Sequence, residues 1–186
     1  ERSSIEKIHE VDDHVGIASA GHVADARQLV DLARRQAQVE GLRYDEPIGV
    51  EALTKEVTDH IQQYTQTGGA RPFGVALLVA GIENGEPRLF ETDPSGTPYE
   101  WQAVGIGGGA DDSQAYLEDN YEEGADLATG VGWALGAIDQ TTDGSLTPEG
   151  LDVATVDVET EQFATLPDDE VADYLAEFDL GGETDE

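Results

Sequence analysis

The sequence predicts a mixed α+β fold, because runs of strands alternate with pairs of helices along the chain. Helices are predicted where apolar residues recur at spacings of three and four. Strands are predicted where apolar runs are bounded by glycine, proline, asparagine or aspartate. The predicted order is β-β-α-α-β-β-β-α-α-β-β-α. This order alone is compatible with several α+β architectures.

The first half of the chain begins with a predicted β-hairpin, which is followed by two helices. The strands are expected at residues 4–11 and 15–19, and the helices at residues 22–41 and 50–66. Each helix has one apolar face, made by Val23, Ala26, Leu29, Val30, Ala33 and Ala37 in the first and by Val50, Leu53, Val57, Ile61 and Tyr64 in the second. We expect Gly41 and Gly68-Gly69 to end the two helices, because glycine adopts left-handed backbone angles without a Cβ clash.

The second half is predicted to hold five strands and three helices. A nearly continuous apolar run predicts that residues 73–82 form a strand buried on both faces. Asn84-Gly85 is a hairpin turn signal directly after it. The other strands are expected at residues 87–92, 98–105, 151–158 and 161–165, and the helices at residues 111–122, 127–140 and 168–178. We expect a single domain over residues 1–180 and a disordered acidic tail over residues 181–186.

Acidic residues dominate the surface that the sequence predicts. Aspartate and glutamate number 41, lysine and arginine only 9, and the formal net charge is −32. Because recognition of nucleic acids and of anionic membranes depends on basic patches, we expect neither as a partner. The apolar share of 38% is that of a folded domain, so disorder does not explain the charge. Such a surface is typical of a protein that works in concentrated salt, where self-repulsion is screened.

Composition also indicates the compartment. The chain contains no cysteine, so disulfides and cysteine metal sites are excluded. No apolar run reaches the ~18 residues that a membrane span needs, and no signal sequence opens the chain. The sequence contains no methionine and starts at Glu1, which indicates a fragment or a processed product. We therefore expect a cytoplasmic protein.

Catalytic residues are not predicted. An N-terminal-nucleophile enzyme needs a Thr, Ser or Cys at its first position, where this sequence has Glu1. No serine stands in a Gly-x-Ser-x-Gly elbow, and nothing in the sequence assembles His9, His14, His22 or His60 into a catalytic set. None of these histidines forms a His-x-x-x-His pair. We expect no catalytic residue, no metal and no cofactor.

Two loops are similar to ligand-binding motifs but depart from them at important positions. Gly105–Gly109 lacks a following lysine, and Asp111-Asp112 at the predicted helix start would repel a phosphate. The loop at residues 139–150 has the Asp and Gly positions of an EF-hand, but Gly150 replaces the bidentate Glu. We favour a tight turn for the first and a solvated loop for the second. Calcium binding by the second loop is left open.

Several motifs, in order along the chain, are similar to those of archaeal proteasome α subunits. The central one lies between the second helix and the third strand. It consists of Tyr64, Thr65, Gln66, Gly69, Arg71, Pro72, Phe73 and Gly74. The flanking motifs are Ser4-Ile5-Glu6-Lys7-Ile8, Gly21-His22-Val23-Ala24-Asp25-Ala26-Arg27, Pro87-Arg88-Leu89-Phe90 and Asp93-Pro94-Ser95-Gly96. The resemblance covers the chain up to the acidic tail, and it implies that the N-terminal part of an α subunit is missing from this sequence. The charge balance favours a halophilic member.

The resemblance implies a four-layer α-β-β-α sandwich of the N-terminal-nucleophile hydrolase type. It implies a non-catalytic subunit of the 20S proteasome core particle, placed with other α subunits in a seven-membered outer ring. Such a ring restricts substrate access to the proteasome β subunits, which hydrolyse peptide bonds, and seats a regulatory AAA ATPase. The alternatives are a catalytic β-type threonine peptidase or other N-terminal-nucleophile hydrolase, and a calcium-binding acidic module.

The resemblance also implies one binding site. In the family, the lysine that Lys7 matches lines a pocket for the C-terminal carboxylate of the ATPase, and Gly21 matches a glycine of that pocket. His22 stands where the family usually has leucine. The alternative role for Lys7 is a surface ion pair with Glu6 or Glu10. We expect the Tyr64–Gly74 signature to be structural, and the family's gating residues lie upstream of this sequence.

Overall fold

The computed structural model describes residues 7–67 and 73–181, and its contacts divide the chain into two compact units. The described part of the sheet unit is residues 7–67, 73–102 and 155–164. The described part of the helical unit is residues 103–154 and 165–181. The predicted boundaries of one domain over residues 1–180 stay a prediction. Gly181, assigned to the tail from the sequence, forms a parallel bridge with Leu146, and residues 182–186 lie outside the described ranges.

The sheet unit contains a five-stranded antiparallel sheet in which neighbours in sequence are neighbours in space. Its strands are β1 (Ile8–Asp12), β2 (Val15–Gly21), β3 (Val75–Glu83), β4 (Glu86–Thr92) and β5 (Pro98–Trp101). Two helices, α1 (Val23–Tyr44) and α2 (Val50–Gln66), connect β2 to β3 and pack on one face of the sheet. A separate two-stranded sheet is formed by β6 (Ala154–Val156) and β7 (Phe163–Thr165). The predicted α+β class is confirmed.

Strand alternation builds the core beneath the two helices. Val75, Leu77 and Val79 of β3 are fully buried on the helix side, where they meet the apolar faces of α1 and α2. The alternate residues Ala76 and Leu78 are only half-buried. The expectation of a strand buried on both faces is therefore wrong for this part of the chain.

The end of α1 corrects a second expectation. Gly41 does not end the helix, which continues to Tyr44 and is capped by Asp45. Asp45 adopts left-handed angles, with φ 53°, and its N–H donates to the Gly41 carbonyl. A glycine inside a helix costs only about 1 kcal/mol relative to alanine, so glycine alone does not stop a helix that packs well. α2 ends at Gln66 as predicted, whereas Gly68-Gly69 lies outside the described residues.

The turn between β4 and β5 is held by the Asp93 carboxylate. Its Oδ1 accepts hydrogen bonds from the Ser95 N–H at 3.0 Å, the Thr97 N–H at 3.1 Å and the Ser95 hydroxyl at 2.6 Å. Gly96 adopts φ 82° within this turn, and Gln62 of α2 donates to its carbonyl. Partial burial acts to raise the pKa of Asp93, but the hydrogen bonds outweigh it, so the pKa lies below its usual value.

Asp93→Asn is expected to destabilise the sheet unit at neutral pH by about 1 kcal/mol, because the turn loses bonds to a charged acceptor. A lowered pKa in the folded state means that the carboxylate stabilises the fold above the unfolded-state pKa. This contribution disappears as the pH falls through the lowered pKa. Denaturant titrations of both proteins should therefore converge in acid. Asp143→Asn, at an exposed loop carboxylate, is the matched control and should change stability by less than about 0.5 kcal/mol. A difference that persists undiminished at low pH would contradict the assignment.

The described part of the helical unit contains a small apolar core and three helices. They are α3 (Ala110–Asn120), α4 (Leu127–Asp139) and α5 (Asp168–Glu177), with a short 3-10 turn at Pro148–Gly150. The buried core consists of Val131, Leu135, Leu146, Val171 and Leu175. Aromatic rings approach the α4 backbone where it carries glycine, Phe178 at Gly132 and Tyr116 at Gly136. A side chain at either glycine would overlap the ring. No helix in the described ranges has the length and apolarity that a bilayer crossing requires.

Candidate functional site

The predicted pocket residues lie at one end of the β1–β2 hairpin. Lys7 directly precedes β1, and its carbonyl accepts a hydrogen bond from the Ser19 N–H at 2.8 Å. Because the strands are antiparallel, Lys7 stands opposite Ser19, two residues before Gly21 at the end of β2. His22 follows as the first flanking residue of α1. Lys7, Gly21 and His22, which together form the hairpin end, are all exposed.

The alternative ion pair of Lys7 with Glu10 is not formed. Successive side chains of a strand point to opposite faces, so residues three apart project to opposite sides of the sheet. Within residues 7–67 and 73–181, the Lys7 ammonium forms no salt bridge. Glu6, the other suggested partner, lies outside the described residues.

The hairpin end is tied to the start of β3 through Gly74. The His22 N–H donates to the Gly74 carbonyl at 2.9 Å, and the Gly74 N–H donates to Asp25 Oδ2 at 2.9 Å. Gly21 adopts φ 117°, and a Cβ at this position would overlap the Gly74 carbonyl. Both facts require glycine at position 21 irrespective of any ligand. The contacts among Gly21, His22, Asp25 and Gly74 make up the Gly74 clasp.

Asp25 belongs to the clasp but was not singled out from the sequence as a candidate site residue. It lies in the first turn of α1, where an acid is ordinarily explained by the helix dipole. Its 5% exposure shows that it has another environment, since a carboxylate is rarely buried unless it is bonded. The only signal in the sequence was its position within the Gly21–Arg27 motif.

The described residues of the Tyr64–Gly74 signature lie in the core and in the connection between α2 and β3. Phe73 is 1% exposed, and its ring centroid lies 4.5 Å from that of Tyr64. The Thr65 hydroxyl donates to the Ile61 carbonyl at 2.9 Å within α2, and Gln66 is exposed at the end of that helix. Gly69, Arg71 and Pro72 lie outside the described residues, so their expected structural role stays a prediction.

His14 and His60 have different neighbours. His14 is buried, and its Nε2 lies 2.6 Å from the Ile48 carbonyl, while Nδ1 lies 3.9 Å from Asp12 Oδ2. The His60 ring packs 5.9 Å from that of Phe73. Across the described ranges, three or more His, Cys, Asp or Glu side chains do not converge into a possible metal site.

The structure describes both motif-like loops. Gly109 adopts φ 76° directly before α3 and packs against Thr141, which is the geometry of a tight turn into a helix. Asp111 and Asp112 are exposed in the first turn of α3. The loop of residues 139–150 begins after α4 and ends in the 3-10 turn, with Asp143 exposed. Its calcium binding remains untested.

A second polar cluster gathers around Arg88, the last basic residue of the chain. Its guanidinium donates to Glu83 at 2.6 Å and to both oxygens of Glu100 at 2.8 and 3.0 Å, and lies 3.3 Å from Glu51. The hydrogen bond to Glu100 is the main cause that raises the pKa of Arg88 and lowers that of Glu100. These carboxylates come from α2, β3 and β5, so the cluster fastens the rim of the sheet unit.

Comparison with known proteins identifies the family. The profile of the family described as "Proteasome subunit" matches residues 1–156. "Proteasome subunit alpha 2" of Haloarcula marismortui is 69% identical over 183 residues, which cover 98% of this chain and 75% of the relative. "Proteasome subunit alpha" of Natronomonas pharaonis is 66% identical over 97% of this chain and 71% of its own length. "Proteasome subunit alpha 1" of Haloferax volcanii is 64% identical over the same shares, 97% and 71%.

These relatives are α subunits of halophilic archaea, so they support the α-type prediction and not the catalytic β-type alternative. The predicted fold of the N-terminal-nucleophile hydrolase type agrees with the family and with the antiparallel sheet covered by helices. The chain belongs to the proteasome subunit family and, within it, to the α subunits.

Proposed function

We propose that this chain is a non-catalytic subunit of the outer ring of the 20S proteasome, which limits access of unfolded proteins and docks a regulatory AAA ATPase. Its partners are six further α subunits of the ring, the β subunits that hydrolyse peptide bonds, and the C-terminal tails of the ATPase. The compartment is the cytoplasm. The high identity to α subunits over nearly the whole chain supports this assignment.

The observation that carries the docking proposal is the chemistry of the hairpin end. Lys7 supplies an exposed ammonium that, among the described residues, pairs with no carboxylate. In a chain with 41 acidic residues and only 9 basic ones, such a cation is a specific point of attraction for an incoming carboxylate. A hydrogen bond between ammonium and carboxylate contributes roughly 1.5–3 kcal/mol.

His22 alters the wall of this pocket. An exposed imidazole offers a ring face for stacking and a nitrogen for hydrogen bonding, whereas leucine offers only apolar surface. We propose that His22 contacts the penultimate side chains of the tail, beside the carboxylate that Lys7 holds. This substitution makes the pocket more polar without changing the backbone that the Gly74 clasp fixes.

Lys7→Ala, introduced into the full-length gene and assembled with β subunits, is expected to lower ATPase-stimulated protein degradation at least about tenfold, as follows from losing a charge-assisted bond. The measurement is the rate at which purified barrels degrade an unfolded protein in the presence of the ATPase and ATP. Electron microscopy gives the number of assembled barrels in each sample. Cleavage of a short peptide without ATPase serves to normalise for β-subunit activity.

Lys55→Ala is the matched control, because Lys55 is the other lysine of the chain and lies exposed on α2. This substitution removes the same charge at a position that is distant in sequence from the hairpin end, so stimulation of degradation by the ATPase should be unchanged. Gly21 is unsuitable as a test, since any side chain there strains the backbone. Equal stimulation in the parent and Lys7→Ala barrels would remove the docking proposal.

A further inference from the structure

Asp25 connects the predicted pocket to the sheet through one peptide segment. Its Oδ2 accepts from the Gly74 N–H at 2.9 Å, and the Gly74 carbonyl accepts from the His22 N–H at 2.9 Å. The peptide groups on both sides of Gly74 are thus bonded to the first turn of α1 or its flanking residue. Since β2 pairs with β3 up to Gly21 and Val75, the clasp lies where that pairing ends.

The bond made by Asp25 is strong because of where it lies. The Asp25 side chain is 5% exposed, so water competes weakly for its carboxylate, whereas Gly74 itself is exposed. The acceptor is a carboxylate, which forms shorter and stronger hydrogen bonds with N–H groups than a neutral oxygen does. The exposed His22 side chain, in contrast, is not held by burial. The backbone at the hairpin end is held by the pairing of β2 with β1 and β3, and the clasp adds the link to α1.

We propose that Asp25 is a positioning residue for the ATPase-tail pocket, which holds Gly21 and His22 at a fixed distance from Lys7 by bonding the Gly74 N–H. This inference rests on the proposed function. The bond between the Lys7 carbonyl and the Ser19 N–H fixes Lys7 relative to the hairpin, and the close approach of Gly21 to the Gly74 carbonyl fixes Gly21 relative to β3. Without the Asp25 bond, the Gly74 segment keeps its bond to the His22 N–H and the pairing of Val75 with Gly21, but it loses its link to the first turn of α1. The two halves of the pocket are then held less firmly relative to each other.

The test is the affinity of a synthetic peptide for assembled barrels of α and β subunits in molar KCl. The peptide carries the last ten or so residues of a halophilic archaeal regulatory ATPase with a free carboxylate, and the same peptide amidated reports non-specific binding. Asp25→Ala is expected to raise the Kd at least about tenfold, as loss of a part-buried bond to a charged group implies. Asp25→Asn is expected to raise the Kd clearly less than Asp25→Ala, because its amide oxygen still accepts from the Gly74 N–H although it lacks the charge.

Asp31→Ala is the matched control, since Asp31 is an exposed acid on the same helix, and it should bind the peptide like the parent. A purely structural role for Asp25 would lower the yield of barrels while leaving the Kd of the assembled ones unchanged, and that result would overturn the inference. Equal weakening by alanine and asparagine would also overturn it, because the hydrogen bond to Gly74 would then not be the link.

Two further variants keep the outcomes distinct. If Asp25→Ala fails to assemble, Asp25→Glu replaces it, because the longer side chain displaces the carboxylate from Gly74 and should again weaken peptide binding. The Lys7→Ala barrels are measured with the same peptide. Unchanged binding to the Lys7→Ala barrels would contradict the pocket itself. If the Lys7→Ala barrels bind the peptide weakly but the Asp25→Ala barrels (or the Asp25→Glu barrels used in their place) bind it like the parent, only the positioning role of Asp25 is contradicted.

Discussion

In dilute buffer, this chain is expected to unfold at a much lower urea concentration than in molar KCl, with a stability difference of several kcal/mol. The formal net charge is −32, and no lysine or arginine follows Arg88 in the sequence to offset the acidic residues of the second half. The Debye length is about 10 Å at 0.1 M salt but about 3 Å at 1 M. Repulsion between neighbouring carboxylates therefore acts across the surface in dilute buffer and is screened in concentrated salt.

A charge-reduced variant separates this repulsion from other effects of salt. Glu118, Asp119, Glu122 and Glu123 are exposed at the end of α3 and in the loop after it. Carboxylates near a helix C-terminus are also opposed by the helix dipole. Replacing all four by their amides should raise stability in 0.1 M KCl and change it little in molar KCl. Urea titrations followed by circular dichroism measure both. A parent stability that is the same at the two salt concentrations would contradict the screening argument.

The secondary structure was predictable because the apolar pattern and the turn residues agree along most of the chain. α2 spans the residues that its apolar face predicts, and β4 follows Asn84-Gly85 as the hairpin signal requires. The end of α1 was not predictable from Gly41, since packing and the left-handed Asp45 decide it. The half-buried face of β3 was not predictable either, because an apolar run reports side-chain type and not which neighbours are present.

The candidate site was predictable only in part. Lys7, Gly21 and His22 were identified from motif similarity, and the antiparallel pairing of β1 with β2 explains why residues so far apart in sequence lie at one end of a hairpin. Asp25 and Arg88 gained their roles from partners 49 residues away at Gly74 and 37 away at Glu51. Such pairings depend on the register between α1, α2 and the sheet, which a single sequence does not specify.

Leu53→Ala is expected to destabilise the fold strongly, with a loss of about 3 kcal/mol and a range of roughly 2–5 kcal/mol. Leu53 is 0% exposed and belongs to the cluster that joins α2 to β3 and β4. Shortening its isobutyl side chain to a methyl group leaves a cavity between the helices and the sheet, and closely packed layers relax only partly to fill it. The expected fall in melting temperature in molar KCl is about 6–12 °C for a domain of this size.

Leu42→Ala tests whether this loss comes from burial and not from the change of residue type. Leu42 is 89% exposed near the end of α1, so the same truncation there removes no packing and should change stability by less than about 0.5 kcal/mol. Both variants are measured by urea unfolding in molar KCl, where electrostatic repulsion is screened and packing differences dominate. Equal losses at the two positions would contradict the argument, because the loss at Leu53 would then not come from burial against the sheet.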